Sequence, residues 1–151
     1  MDLTAGWPDA VSTMREAQAQ RQRTKYLLVD DHAGFRRLVR EFLPGPAIEV
    51  IECGDGAAAL AAYELHRPDW VIMDVAMPVM DGLQATRALR HRFPEARIVV
   101  LTQHAGPEMH TQALASGARA SVSKADLSRL DAFLTAQAST PDFPQAGAPP
   151  G

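Results

Sequence analysis

Five polar side chains that could do chemistry together each follow a short apolar run. Asp30 and Asp31 follow Tyr26-Leu27-Leu28-Val29, Asp74 follows Trp70-Val71-Ile72-Met73, Thr102 follows Ile98-Val99-Val100-Leu101, and Lys124 follows Ala120-Ser121-Val122-Ser123. Taken singly, an Asp in such a place is more often a helix cap than a reactive group. Taken jointly, three carboxylates, a hydroxyl and an ammonium form a defined chemical set. Carboxylates held close repel, and without a compensating charge at least one is driven toward protonation. A hard divalent cation answers that repulsion, and Mg²⁺ suits one or two carboxylates plus waters and a phosphoryl oxygen. Lys124 and Thr102 add a cation and a hydrogen-bond donor. The set suits a phosphoryl group carried on Asp74, because a carboxylate can attack phosphorus and the added negative charge must be met by preplaced cations and donors.

Such convergence requires a scaffold that brings the ends of separate strands to one edge. The apolar runs alternate with helical patterns. Phe35, Leu38, Val39, Phe42 and Leu43 have the spacing of a helix with one buried face, ended by Pro44-Gly45-Pro46. Ile48, Val50 and Ile51 mark a second strand, and Gly54-Asp55-Gly56 leads into an alanine-rich helix to about His66. The strand ending at Asp74 is third; Pro78, which lacks an N–H, and Gly82 mark where its pairing stops. Asp81 and Gly82 read as turn and helix-start residues for a helix to about Arg92. A fourth helix spans about Pro107 to Ser116 and closes at Gly117, a natural C-terminal glycine. A last helix carries Leu127, Leu130 and Leu134 on one face, with Phe133 at its margin. Strands alternating with helices predict an α/β fold, a parallel sheet covered on both faces, with ligands at the carboxyl ends of the strands.

The chain has 151 residues, 46% hydrophobic, enough for one domain with a real core. A formal charge of −3 and a pI near 5.9 give no reason to expect nucleic acid or an anionic membrane as partner. The single cysteine, Cys53, reads as a small hydrophobe at a strand end. No apolar run approaches the ~20 residues of a membrane span, and residues 1–24 lack a signal-peptide core, so a cytoplasmic protein is expected. Three segments are expected: an N-terminal extension over 1–24, with some helical character; a folded domain over 25–138; and a flexible Pro/Gly/Ala-rich tail over 139–151. Arg21, Arg23 and Lys25 form a small basic patch that reads as a solvated face.

The pair Asp30-Asp31, Asp74 with Met77-Pro78 and Asp81-Gly82, Thr102, and Lys124 after Gly117-Ala118 together resemble the receiver domain of bacterial two-component response regulators. The resemblance covers roughly residues 25–138. Asp30-Asp31-His32-Ala33-Gly34-Phe35-Arg36-Arg37-Leu38 is closest to receivers whose regulators carry a helix-turn-helix output domain. The resemblance implies a flavodoxin-like, doubly wound, five-stranded sheet of order 2-1-3-4-5 with five helices. It implies that Asp74 accepts a phosphoryl group from a sensor histidine kinase or phosphotransfer protein and so switches contacts to a downstream protein target or output domain, with a homodimer compatible. It further implies that Asp31, Asp74 and the Ala76 carbonyl ligate Mg²⁺, that Asp30 acts through water, and that Thr102 and Lys124 hold the phosphoryl oxygens. Enzyme activity beyond its own phosphoryl transfer and hydrolysis is not expected.

Two departures from the family pattern stand out. Ser121 occupies the position where receivers usually carry an aromatic ring that moves with the threonine, and Ala125 replaces the usual proline after the lysine. A phosphorylation-independent receiver-like scaffold therefore stays open. An aspartyl-phosphate phosphatase is disfavoured, because such enzymes carry a general-acid Asp two residues after the nucleophile and this chain has Ala76. The histidines His32, His66, His91, His104 and His110 show no metal-ligand spacing and read as surface residues. His104 is the exception, because it and Ala76 fall where the pattern places the residues that set the rate of dephosphorylation.

Overall fold

In the computed structural model, residues 23–77 and 80–139 are described, together with the helical positions Val11 and Met14. The remainder of the 1–24 extension and of the 139–151 tail, and Pro78 itself, lie outside the described residues. The elements are β1 (Thr24–Val29), α1 (Ala33–Arg40), β2 (Ile48–Cys53), α2 (Gly56–His66), β3 (Trp70–Asp74), α3 (Gly82–Arg92), β4 (Ile98–Thr102), α4 (Pro107–Ser116), β5 (Ala120–Ser123) and α5 (Ser128–Ser139). All strands are parallel and lie in the order β2-β1-β3-β4-β5.

Alternation along each strand divides the core into two layers. Leu27, Val29, Val71, Met73, Ile98 and Val100 pack on one face against Ala59 and Tyr63 of α2, Ala85 and Leu89 of α3 and Ala113 of α4. Tyr26, Leu28, Ile72, Val99 and Leu101 pack on the other against Val39 of α1 and Leu127, Leu130 and Leu134 beside and within α5. Every residue of β3 and β4 is buried, as expected for central parallel strands covered on both sides. Phe133 is partly buried, its ring edge-on to Trp70 at 5.8 Å, which bears out its place at the core margin. Cys53 also packs partly buried against the core, and burial, with the nearby Asp55, pushes its thiol up from the ordinary value.

The helix boundaries follow local chemistry. Asp81 caps α3 in a reciprocal capping box with Gln84, and Asp55 caps α2 by accepting from the Ala58 N–H at 2.7 Å. Gly117 closes α4 at φ 108°, a left-handed turn that its missing Cβ permits. The first helix departs from expectation. It ends at Arg40, and the next residues bond three back: Glu41 N–H to Leu38 C=O, Phe42 to Val39 and Leu43 to Arg40. Pro44 disfavours helical backbone at its predecessor, so the last turn tightens and rotates Leu43 into the core. Leu38 lies at the edge of the apolar stripe and is 44% exposed rather than buried.

Candidate functional site

The parallel register carries the strand ends to one edge. Val29 pairs with Met73, so one step further sets Asp30 level with Asp74; Thr102 pairs with Ser123, and Lys124 follows. The Lys124 ammonium lies 2.8 Å from Asp74 Oδ1 and 3.3 Å from Asp30 Oδ2. Its backbone N–H donates to the Thr102 carbonyl at 2.8 Å. Asp74 and Asp30 are 2% and 5% exposed, and Thr102 is buried beside them. Asp30, Asp74, Thr102 and Lys124 therefore form one edge cluster. Asp31 lies on its exposed rim, with its Oδ1 3.6 Å from His32 Nδ1.

Four of the five strand ends, those of β1, β3, β4 and β5, are closed by a turn in which the side chain accepts the backbone N–H two residues on. Asp30 Oδ1 accepts from His32 at 2.8 Å, Asp74 Oδ1 from Ala76 at 3.2 Å, and Thr102 Oγ1 from His104 at 3.0 Å. Ser123 Oγ accepts from Ala125 at 3.1 Å in the same way. Such turns suit Asp, Ser and Thr, whose short side chains reach their own backbone. Ala76 and His104 are thereby fixed beside Asp74 and Thr102 with their side chains exposed.

The electrostatics are those of a crowded, half-neutralised pair. Burial raises the Asp74 carboxyl above its ordinary value, and the neighbouring Asp30 adds to that, against the opposing effect of the Lys124 hydrogen bond. Burial opposes the charged form of Lys124, but its contacts with Asp74 and Asp30 outweigh this, and its ammonium is held above the ordinary range. Asp74 Oδ1 has two donors; the buried Oδ2 has no hydrogen-bond partner among the described residues. An orphaned buried carboxylate oxygen costs about 1–3 kcal/mol or more. Together with the acidic neighbours, it fits a site that takes a cation or an electrophile. The all-oxygen donors of Asp30, Asp31 and Asp74 suit a hard divalent ion.

Two participants were not singled out by sequence spacing. Phe35, expected only as part of the helix's apolar face, lies under the Lys124 ammonium at 4.6 Å and supports it by a cation–π contact. His32, read as a surface histidine, is exposed, yet one ligand atom from each of Asp30, Asp31 and His32 lies within 4.8 Å of the others. Direct adjacency to the acidic pair was its only signal. Ser121 donates to or accepts from His110 Nδ1 at 3.1 Å, at a cleft of about 470 Å³ lined also by Pro107, Ser123, Asp126 and Arg129. The larger cleft, about 530 Å³ around Tyr26, Trp70 and Arg97, lies at the opposite ends of the strands. Because the buried pair Asp30 and Asp74, with Asp31 beside it, lies at the carboxyl edge, size is a poor guide to the chemistry here. His91, His104 and His110 are exposed and His66 is half-buried.

The family model for the response regulator receiver domain matches residues 26–135. The chain is 35% identical over 103 residues to the transcriptional regulatory protein DegU of Brevibacillus brevis, covering 67% of this chain and 44% of DegU. It is 34% identical over 96 residues to the chemotaxis protein CheY of Bacillus subtilis, covering 63% of this chain and 80% of CheY. The chain thus spans less than half the length of DegU. Among solved structures it is similar to the signal receiver domain of a NarL response regulator from Mycobacterium tuberculosis, with a TM-score of 0.67 at 30% identity, covering 79% of this chain and 99% of that one. No helix among the described residues is long and apolar enough to cross a membrane.

Proposed function

The chain belongs to the response regulator receiver domain family, and from that premise we propose that residues 25–138 form a phospho-accepting switch whose acceptor is Asp74. The observation that carries the reading is the state of the Asp74 carboxylate. One oxygen is fixed by Lys124 at 2.8 Å and by the Ala76 N–H, while the other is buried without a hydrogen-bond partner among the described residues. A carboxylate aimed in this way is a positioned nucleophile. Its Oδ2 lone pair forms the new P–O bond as the P–N bond to a donor phosphohistidine breaks, and the leaving imidazole nitrogen keeps that electron pair. The donor is a sensor histidine kinase or a phosphotransfer protein. Lys124 and the Thr102 hydroxyl stand ready to meet the phosphoryl oxygens.

Asp31, Asp74 and the Ala76 carbonyl would hold Mg²⁺, with Asp30 acting through water. The bound ion supplies positive charge against the transferring oxygens. Downstream, the phosphorylated form changes contacts with a protein target or an output domain; DNA is not contacted by this chain directly, and the protein acts in the cytoplasm. Ala76 and His104 flank the acceptor and set how fast water removes the phosphoryl group.

Incubation with Mg²⁺ and a small phosphodonor, read by intact mass, tests the reading. One phosphoryl adduct is expected on the wild type and none on Asp74→Asn. No adduct with any donor or kinase would favour a phosphorylation-independent scaffold. Rapid turnover of unrelated phosphate esters would favour a phosphatase.

A further inference from the structure

We propose that His32 is a metal ligand of the acidic site and makes it selective for divalent first-row transition ions with an affinity for nitrogen, over Mg²⁺. The inference rests on the acidic-site reading above and adds a residue to it. His32 stands at the N-cap of α1, where Asp, Asn or Ser would ordinarily bond the first-turn N–H groups, but its side chain makes no cap hydrogen bond. Its imidazole instead faces the acidic pair, with Nδ1 3.6 Å from Asp31 Oδ1. Its backbone N–H donates to Asp30 Oδ1 at 2.8 Å, which fixes its Cα against the site.

The independent observation is Asp74. It is 2% exposed, its Oδ1 shares Lys124 with Asp30, and its Oδ2 has no hydrogen-bond partner among the described residues. A buried anionic oxygen next to the Asp30 carboxylate, on the same edge as Asp31, calls for a cation. The nature of that cation follows from the donors. Carboxylates alone suit Mg²⁺ or Mn²⁺, whereas an added imidazole raises affinity for Co²⁺, Ni²⁺ and Zn²⁺. Bonds of about 2.0–2.2 Å to nitrogen and oxygen place ligand atoms up to about 4 Å apart across one ion. The ligand atoms of Asp30, Asp31 and His32 already lie within 4.8 Å of one another. The His32 side chain is 78% exposed, so no packed neighbour among the described residues holds its ring from turning toward a bound ion. Arg36 donates to the Asp30 carbonyl and pairs with Glu52 at 2.6 Å, so its guanidinium is committed to those two partners.

The site would therefore respond to two ion classes. Mg²⁺ would occupy the oxygen ligands and leave His32 free; a transition ion would recruit His32 and hold the loop between β1 and α1 closed on it.

The test titrates the full chain, freed of metal, with CoCl₂ and separately with MgCl₂ by calorimetry, and records the visible absorption of bound Co²⁺. Wild type, His32→Ala, His91→Ala and Asp74→Asn are compared. Loss of a mere outer-shell partner costs about 10–100-fold in metal affinity, so loss of a ligand should cost at least about 10-fold. His32→Ala is expected to weaken Co²⁺ by that factor and shift its absorption bands, while Mg²⁺ affinity changes less than about twofold. His91→Ala, an exposed histidine in the last turn of α3, should change neither. Equal weakening of both ions, or no weakening of Co²⁺, in His32→Ala would overturn the inference while leaving the acidic site intact. Failure of Mg²⁺ to bind the wild type, or binding untouched in Asp74→Asn, would instead overturn the acidic-site reading beneath it.

Discussion

Replacing Lys124 by Met isolates the charge that holds two buried carboxylates together. The thioether keeps most of the stem volume and removes the ammonium that lies 2.8 Å from Asp74 and 3.3 Å from Asp30. Both acids are almost wholly buried, and removing one partner of a buried ion pair costs roughly 3–5 kcal/mol. An upper bound comes from protonation. Neutralising one carboxylate at pH 7, about three units above its ordinary value, costs about 4 kcal/mol at about 1.36 kcal/mol per unit. The lost cation–π contact to Phe35, worth about 0.5–2 kcal/mol, is already part of that figure, because it too goes with the ammonium. Lys124→Met should therefore lose about 3 kcal/mol at pH 7. In urea, with a slope of about 1.5 kcal/mol per molar, this lowers the midpoint by about 2 M. Without the ammonium, the folded-state value of Asp74, already raised by burial, rises further above that of the unfolded chain. Carboxyls raised in this way contribute stability below their unfolded values and lose it as pH rises through their folded values. The deficit should therefore shrink as the pH falls from 7 toward 4. Urea melts in EDTA at several pH values measure it. An unchanged midpoint at pH 7, or a deficit equal at pH 7 and pH 4.5, would refute the charge argument and leave only packing.

Two further predictions concern the same edge. At Gly82 a Cβ would lie 2.0 Å from the Asp74 carbonyl oxygen and 2.9 Å from Val75 Cα, both backbone atoms that cannot swing aside. Gly82→Ala should therefore cost about 3 kcal/mol in urea melts, at the upper end for overpacking, and reduce phosphoryl uptake by moving the acceptor. Asp74→Asn removes a carboxyl whose folded value burial has raised. Its stability relative to wild type should increase as pH rises from about 3 to 7, whatever the fixed cost of leaving Lys124 one acceptor short; a flat difference across that range would contradict the raised value.

The fold was legible because each strand was a short apolar run and each helix an amphipathic or capped segment, from Val71 in β3 to Leu130 in α5. The convergence of Asp30, Asp74 and Lys124 followed from the parallel arrangement alone; the strand order required a family resemblance. Legibility failed where tertiary context decides. Periodicity counted Leu38 as buried, but nothing in the spacing reveals that the chain tightens after Arg40. Phe35 reads from its spacing as ordinary core, and its role under the Lys124 ammonium depends on a residue 89 positions away. His32 lacked a partner at helical spacing, and only the turn after β1 brings its ring beside Asp31.

The turns at the ends of β1, β3, β4 and β5 divide responsibility between backbone and side chain. The residues His32, Ala76, His104 and Ala125 contribute only their N–H groups to these turns, and all four side chains are exposed. Any residue other than proline supplies the same N–H. These four places can therefore change identity without loosening Asp30, Asp74, Thr102 or Ser123. They form a ring of adjustable positions around fixed chemistry, and in the switch proposed above they are where phosphoryl lifetime and ion preference would be retuned while the scaffold and acceptor stay as they are.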